Sequence, residues 1–206
     1  MLSIVIPVFN EEENINSVIE ELLENIDTQS PYEIIFVDDS SDDNTFLNIK
    51  AINLQNNNVK ILRLARRSGS HIATKAGIDA SSGDKLLVIS GDGQEDPALI
   101  KDMISNIADG FDIIWGIRDV REENLFSRLV TKIFYKGLVR FTKNTTNYSV
   151  DISNADFYML SNKVINELKK ASLKNSSLFG LLAWVGFKQT SLPYKRRKRL
   201  NGNSKW

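Results

Sequence analysis

Short apolar runs alternate with longer amphipathic segments through the first half of the chain. Four runs rich in branched apolar residues end in polar turns and predict buried strands: Leu2–Val8, Tyr32–Val37, Val59–Leu64 and Leu86–Ile89. The segments between them space their apolar residues as amphipathic helices do. Strands that alternate with helices predict βαβ units, so we expect an α/β fold with a mostly parallel central sheet flanked by helices.

Polar residues mark the starts of two of these helices. Asn10 precedes the first helical segment and is predicted to be its N-cap, with glutamates in the first turn. Pro97 opens the fourth helical segment and is predicted to lie in its first turn. Glu95 and Asp96 precede that proline, and we interpret both as acidic residues that face the helix dipole.

The second half of the chain is less regular. It predicts three more strands, Phe111–Gly116, Phe157–Leu160 and an edge strand Gln189–Tyr194. It also predicts two helices, Leu129–Phe141 and Ser161–Lys170. Phe179–Phe187 is apolar but too short to span a membrane, so we expect it to be buried.

Composition limits the classes of function. The length of 206 residues suits one domain, and 42% hydrophobic residues suit a packed core. The 26 basic and 26 acidic residues cancel, which argues against a general nucleic-acid binder. The absence of cysteine and the single histidine exclude disulfides, cysteine-based zinc sites and multi-histidine metal sites. No stretch reaches the roughly 18 apolar residues of a membrane-spanning helix.

Acidic residues follow three of the predicted strands. Glu11 follows the first strand, Asp38 and Asp39 end the second, and Asp92 follows the fourth. The carboxyl ends of parallel strands meet at one edge of a sheet, where α/β proteins bind ligands. The chain has neither a glycine-rich dinucleotide motif nor a P-loop. Such carboxylates suit hydrogen bonds to a ribose or base, and a divalent cation that bridges a diphosphate.

Seven segments resemble motifs of family 2 glycosyltransferases with the GT-A fold. In the first half they are IVIPVFNEEENI, EIIFVDDSSDDNT, RRSGSHIATKAGIDASSGD and SGDGQEDP. In the second half, WGIRDVRE, FGLLAWVGF and YKRRKRLNGNSKW are similar to the polyprenyl-phosphate branch, which includes dolichyl-phosphate mannose synthases and bactoprenyl-phosphate glucosyltransferases. The resemblance covers nearly the whole chain. It implies a catalytic domain over 1–194 and a basic juxtamembrane tail over 195–206, with membrane helices following in the full-length protein.

The resemblance also implies roles for individual residues. The implied nucleotide-sugar site comprises Pro7, Phe9, Glu11, Asp38, Asp39, Gly69, Ser90, Gly91 and Asp92. Asp92 and Gln94 match the ligands of a Mg²⁺ or Mn²⁺ cofactor. Four basic residues match positions that meet the diphosphate or the acceptor phosphate, and with Asp92 they form the implied catalytic set: Arg118, Arg128, Arg199 and Lys205.

The implied reaction is inverting transfer of a sugar from a UDP- or GDP-sugar to polyprenyl phosphate at the cytoplasmic membrane face. The basic tail would meet anionic lipid, and no nucleic acid is implied as a partner. Ser90 stands where the family has the first aspartate of its Asp-x-Asp motif, so we expect weak, donor-dependent metal binding. Two alternatives stay open: a family 2 transferase with a soluble glycan acceptor, and a nucleotide-sugar-binding module with impaired catalysis.

Overall fold

Seven strands form one sheet in the computed structural model, which describes residues 1–119, 155–171, 178–184 and 186–199. In chain order the strands are β1 (Leu2–Val8), β2 (Tyr32–Asp38), β3 (Val59–Arg63), β4 (Lys85–Val88), β5 (Ile113–Arg118), β6 (Ala155–Ser161) and β7 (Gln189–Tyr194). Their order across the sheet is β3-β2-β1-β4-β6-β5-β7. Only β6 runs antiparallel to its neighbours among these strands, so the expected mostly parallel sheet is confirmed.

Helices cover both faces of this sheet. The described helices are α1 (Ile15–Asn25), α2 (Thr45–Gln55), α3 (Ser70–Ala80), α4 (Ile100–Ala108), α5 (Asn162–Lys170) and α6 (Leu178–Trp184). The predicted helix Leu129–Phe141 lies outside the described residues. No helix within the described ranges combines the length and apolar character needed to cross a bilayer.

The core has two apolar layers, one on each face of the sheet. Ile4 and Ile6 of β1 point into the layer that α1, α2 and α4 cover, whereas Val5 points into the layer beneath α3. Successive strand residues alternate between faces, and β1 is buried along its whole length. A strand covered on both faces needs apolar residues at nearly every position, which explains the continuous apolar runs.

The prediction that Asn10 caps the first helix was wrong. Helix α1 begins at Ile15, after Asn14, and has no acidic residue in its first turn. Asn10 has a left-handed backbone, with φ of 55°, and its side-chain oxygen accepts a hydrogen bond from the Asp42 N–H at 2.9 Å. The Asn10 side chain therefore binds the turn after β2 and does not cap α1.

The helix start at Pro97 agrees with its prediction. Pro97 opens a 3₁₀ turn, Pro97–Leu99, that leads directly into α4. The Asp96 carboxylate accepts a hydrogen bond from the Ala98 N–H at 3.1 Å and so caps this turn.

The edge position predicted for Gln189–Tyr194 is also confirmed, because β7 ends the sheet beside β5. Trp115 of β5 is fully buried, and its indole N–H donates to the Gln189 side-chain oxygen at 2.9 Å. Leu182 of α6 is buried in the layer beneath α3, and Phe179 and Phe187 are partly buried against that layer. The apolar segment predicted to be buried therefore packs on the sheet.

Candidate active site

The turns after β1, β2 and β4 lie side by side at the carboxyl edge of the sheet. These strands are parallel neighbours, and their pairing continues past the strand ends: the Asp39 N–H donates to the Val8 carbonyl at 2.9 Å, and the Ile89 N–H to the Val5 carbonyl at 3.1 Å. A Cβ on Gly91 would lie 2.6 Å from a Val8 methyl carbon. Glycine at position 91 therefore lets the turn after β4 approach β1.

Asp39 holds the loop that precedes α3. Its side chain is fully buried, and its two carboxylate oxygens accept hydrogen bonds from the Ser68 N–H at 2.7 Å and the Gly69 N–H at 2.8 Å. Gly69 has φ of 93°, a conformation that strongly favours glycine. Asp39 and Gly69, both predicted site residues, therefore shape the same loop at the edge of the sheet.

Asp38 and Pro7, also predicted site residues, belong to the strands themselves. Pro7 is buried within β1, opposite Val37 in the register with β2. Asp38 is fully buried, accepts a hydrogen bond from the Ser41 N–H at 3.1 Å, and lies 3.2 Å from Nε of Arg63. Both residues are therefore buried parts of the strands whose ends form the candidate site.

An aromatic ring and a guanidinium group stack where β1 ends. Phe9 is buried, and the guanidinium carbon of Arg67 lies 4.1 Å from its ring centroid. This distance is typical of a cation–π contact. Arg67 was not among the predicted site residues, and its signal in the sequence was the arginine pair that precedes Gly69. The exposed Arg67 side chain therefore covers the Phe9 ring at this edge of the sheet.

Arg199 joins two acids that lie far from it in sequence. The Glu11 side chain is buried, and one of its oxygens accepts a hydrogen bond from the Asn14 amide at 2.7 Å. The other oxygen accepts a hydrogen bond from Arg199. Another guanidinium nitrogen of Arg199 lies 3.8 Å from Oδ2 of Asp92. The structure therefore brings together three predicted site residues: Glu11, Asp92 and Arg199.

Ser90 joins two carboxyl groups. Its hydroxyl oxygen lies 2.6 Å from Oδ1 of Asp92 and 2.5 Å from Oε2 of Glu95. A hydroxyl has one proton, so it can donate to only one of these oxygens at a time. Ser90 stands where the resemblance implies an aspartate. Its hydroxyl contacts both Asp92 and Glu95, so a second carboxyl group still lies near Asp92.

Glu95 lies in this acidic cluster, directly before the helix whose dipole it was predicted to face. Asp96 supplies the N-cap, so Glu95 lies before the helix and is only 4% exposed. Burial and the charge of Asp92 raise the pKa of Glu95 to about 7, against the opposing hydrogen bond from Ser90. The Asp96–Pro97 pair was the available signal, because an N-cap followed by proline leaves the preceding residue outside the helix.

The basic segment Lys195–Arg199 lies across Gln94. The Arg197 N–H donates to the Gln94 carbonyl at 3.0 Å, and the Gln94 amide donates to the Arg197 carbonyl at 3.2 Å. A guanidinium nitrogen of Arg196 donates to the Gln94 side-chain oxygen at 2.7 Å. The segment thus pairs with the predicted metal ligand through both backbone and side chain.

Arg118 lies beside a second buried cluster. Its Nε atom is 3.0 Å from Oδ2 of Asp156, and the Tyr194 hydroxyl donates to the same oxygen. Burial and the Asp156 carboxylate raise the pKa of Tyr194. The Asp156 charge also contributes to the raised pKa of Glu95. The predicted residues Arg128 and Lys205 lie outside the described residues.

The oxygen donors at the edge match the chemistry of a hard divalent cation. Asp92 and Glu95 have carboxyl oxygens, the ligand type that Mg²⁺ and Mn²⁺ prefer, whereas the Gln94 amide oxygen accepts a hydrogen bond from Arg196. The described residues contain no group of three or more His, Cys, Asp or Glu side chains placed to hold a metal ion. This donor set suits a cation that takes its remaining ligands from a diphosphate and water.

Comparisons with known proteins place the chain among glycosyltransferases. The family model described as glycosyl transferase family 2 matches residues 3–169. An uncharacterized glycosyltransferase of Bacillus subtilis, YkcC, is 36% identical over 206 residues, which are 99% of this chain and 62% of that relative. The chain thus spans less than two thirds of that relative. A prophage bactoprenol glucosyl transferase homolog of Escherichia coli is 30% identical over all of this chain and 66% of its own length.

A solved structure has the same fold. The mannosyltransferase PcManGT from Pyrobaculum calidifontis, in complex with GDP-Man and Mn²⁺, superposes with a TM-score of 0.67 at 14% identity. The match covers 93% of this chain and 54% of that one. At this identity the likeness concerns the fold alone, and it confirms the predicted GT-A fold.

Proposed function

The chain belongs to glycosyl transferase family 2, and we propose that it moves a sugar from a UDP- or GDP-sugar to polyprenyl phosphate. The observation that carries this proposal is the contact of Arg199 with both Glu11 and Asp92, because it brings phosphate-binding chemistry to the acidic edge. The similarity to the Escherichia coli bactoprenol glucosyl transferase homolog supports the lipid acceptor.

In this proposal the donor nucleotide lies along the ends of β1, β2 and β4. The base would lie near Phe9 and Arg67, and the ribose would lie near Glu11, whose carboxylate also holds Arg199. Asp39 acts from beneath, because its carboxylate keeps the loop around Gly69 in place. These residues bind and orient the donor without taking part in bond breaking.

Asp92, Gln94 and Glu95 would hold Mg²⁺ or Mn²⁺ against the donor diphosphate. When bound, such a cation neutralises the charge that develops on the leaving diphosphate. Two carboxylates are few for a protein-only Mg²⁺ site, so cation and nucleotide should bind together. Ser90 contributes by orienting Asp92 through their 2.6 Å hydrogen bond.

The transfer itself needs positioning more than proton transfer. An oxygen of the lipid phosphate attacks the anomeric carbon, the bond from that carbon to the diphosphate oxygen breaks, and the nucleoside diphosphate leaves with the bonding electrons. The phosphate nucleophile is already ionised, so no general base is required. Arg118 and Arg199 would orient the phosphates and stabilise the developing charge.

The acceptor would reach this site at the cytoplasmic surface of a membrane. Lys195, Arg196 and Lys198 are exposed on the segment that crosses the site. Basic residues near a bilayer are attracted to anionic lipid headgroups, which would bring the site close to the polyprenyl phosphate.

Transfer of radiolabelled sugar into a polyprenyl-phosphate extract tests this function directly. UDP- and GDP-sugars are screened with Mn²⁺ and with chelator, and nucleotide binding is measured separately by calorimetry. We expect one nucleotide class to bind and its labelled sugar to enter the lipid phase. Labelling of a soluble glycan instead would favour the other acceptor class, and nucleotide binding without any transfer would favour a binding module.

A further inference from the structure

Arg197 is an arginine without a role in the reaction described above, yet it contacts several separate parts of the protein. One of its guanidinium nitrogens contacts the carboxylate of Glu21 on α1. The other lies 3.1 Å from the carboxylate of Asp96, the cap of the turn before α4. Its backbone pairs with Gln94, as described above. Arg197 thus joins three elements that surround the acidic site.

These contacts fix the path of the segment two residues before Arg199. The side chains of Arg197, Glu21 and Asp96 are 38%, 26% and 39% exposed, so each ion pair is partly solvated and weak by itself. Two ion pairs and a backbone pair acting on one residue still restrict where the following residues can go. The segment then delivers Arg199, whose side chain is 12% exposed, to Glu11 and Asp92.

We propose that Arg197 is a positioning residue that docks the segment Lys195–Arg199 on the acidic site. Arg199 then serves as the counter-cation of Glu11 and Asp92 before donor and metal bind. Glu11 and Asp92 both carry carboxylates, and a guanidinium group in contact with both offsets their mutual repulsion. A divalent cation at Asp92 would compete with the nearby Arg199 guanidinium group, so docking lowers the metal affinity of the donor-free protein.

The double variant Glu21→Gln with Asp96→Asn tests this docking. Asparagine keeps the cap at position 96, and neither substituted residue belongs to the proposed donor or metal site. A matched pair, Glu20→Gln with Asp102→Asn, removes the same charge from exposed positions of α1 and α4. Mn²⁺ is titrated by calorimetry into the protein without nucleotide.

The expected change in Mn²⁺ affinity is opposite to the change that loss of negative charge alone would cause. Removal of two negative charges should weaken Mn²⁺ binding everywhere, but release of Arg199 should tighten it by about fivefold in the test pair alone, as loss of a competing ion pair predicts. Arg197→Lys should retain part of the wild-type behaviour, since lysine can pair with one of the two acids. Equal or weaker Mn²⁺ binding by the test pair would overturn the competition.

Limited trypsin digestion measures docking without metal. In chelator, the bonds after Lys195, Arg196 and Lys198 should be cut about fivefold faster in the test pair than in wild type or the matched pair, as judged by mass spectrometry. Equal cutting rates would overturn the docking by Arg197. The competition between Arg199 and the cation rests on the proposed function. If Mn²⁺ binds no variant, with or without nucleotide, both the competition and the proposed cation are wrong. The digestion result still tests the docking by Arg197.

Discussion

At the scale of single residues, the site depends on buried carboxyl groups with different neighbours. The Asp39 carboxylate accepts hydrogen bonds from two backbone N–H groups, which hold the loop around Gly69. Glu95 shares the Ser90 hydroxyl with Asp92, and burial raises its pKa. Buried carboxyl groups therefore have two effects here: Asp39 holds a loop, and Glu95 has a raised pKa beside Asp92.

Replacing Asp39 should affect both the loop and nucleotide binding. Asp39→Asn places an NH₂ donor opposite the N–H group of Ser68 or Gly69, so one of these N–H groups loses its acceptor. This loss should lower the free energy of unfolding by about 1–3 kcal/mol. Nucleotide affinity should fall too, because the loop around Gly69 loses its anchor. Urea unfolding and calorimetry measure the two effects, with the exposed Asp42→Asn as control. Unchanged nucleotide affinity in a folded Asp39→Asn protein would remove this loop from the donor site.

Replacing Ser90 by aspartate should restore metal affinity. A carboxylate at position 90 adds charge beside Asp92 and Glu95, so Ser90→Asp should bind Mn²⁺ about tenfold or more tightly without nucleotide. In chelator the same variant should melt at a lower temperature, because three carboxyl groups then repel one another. Ser90→Ala is the control, since it removes the hydroxyl without adding charge. Tight Mn²⁺ binding by the donor-free wild type would show that the ligands have been misassigned.

The Glu95 pKa predicts how stability depends on pH. The folded pKa of about 7 lies above the unfolded value, so this group stabilises the fold most below the unfolded pKa, and that contribution is lost as pH rises through about 7. Glu95→Gln cannot ionise, so between about pH 4 and pH 8 it should gain about 1–3 kcal/mol relative to wild type. Urea unfolding in chelator across this range checks the prediction, with exposed Glu24→Gln as control. A pH-independent difference would mean that Glu95 titrates normally.

At the scale of elements, the close packing of α3 on β1 positions the loop at the carboxyl edge of the sheet. A Cβ on Gly77 of α3 would lie 2.3 Å from a methyl carbon of Val5 in β1. Helix α3 follows directly on Gly69, so its seat on β1 also places the loop that Asp39 holds. A displaced α3 would therefore shift one wall of the donor site.

Gly77→Ala tests this packing. The added methyl group must push into Val5, so we expect a loss of about 1–3 kcal/mol in the free energy of unfolding, as overpacked cores show. Val5→Ala removes the opposing methyl groups, and the double variant should lose less stability than the sum of the single variants. Urea unfolding of all four proteins measures this coupling. Strict additivity would contradict direct contact between the two positions.

At the scale of the whole molecule, opposite charges are concentrated in different parts of a neutral chain. The sequence has 26 basic and 26 acidic residues, yet acids gather at the strand ends and bases gather after β7. The segment Lys195–Arg199 turns some of its cations inward, to Glu11, Glu21, Asp92 and Asp96, and leaves others exposed. The exposed cations include Lys195 and Lys198.

Those exposed lysines should carry the proposed membrane contact. Lys195→Gln with Lys198→Gln should weaken binding to phosphatidylserine liposomes by about 1 kcal/mol per lysine, and the effect should shrink as salt rises. Lys50→Gln with Lys101→Gln removes equal charge from exposed positions on α2 and α4 and serves as the control. Liposome co-sedimentation at low and high salt makes the comparison. Equal losses in both pairs would indicate a net-charge effect without a specific membrane face.

Much of the fold follows from the sequence by itself. The runs Leu2–Val8 and Tyr32–Val37 and the polar turns after them predict strands, their parallel arrangement and an acidic edge, and the structure confirms the first two. These features depend on periodicity and turn chemistry, which act over a few neighbouring residues. The predicted cap at Asn10 failed because its partner, Asp42, comes from another turn.

Only the tertiary structure decided which acids face one another and which arginines meet them. Arg199 contacts Glu11 across 188 positions of sequence, and Arg197 contacts Glu21 across 176. Charge pairs at such separations leave no local pattern, because they depend on where the sheet order and the path after β7 place each side chain. Glu95 shows the same limit: its pKa is set by burial and by Asp92, which are properties of the folded site.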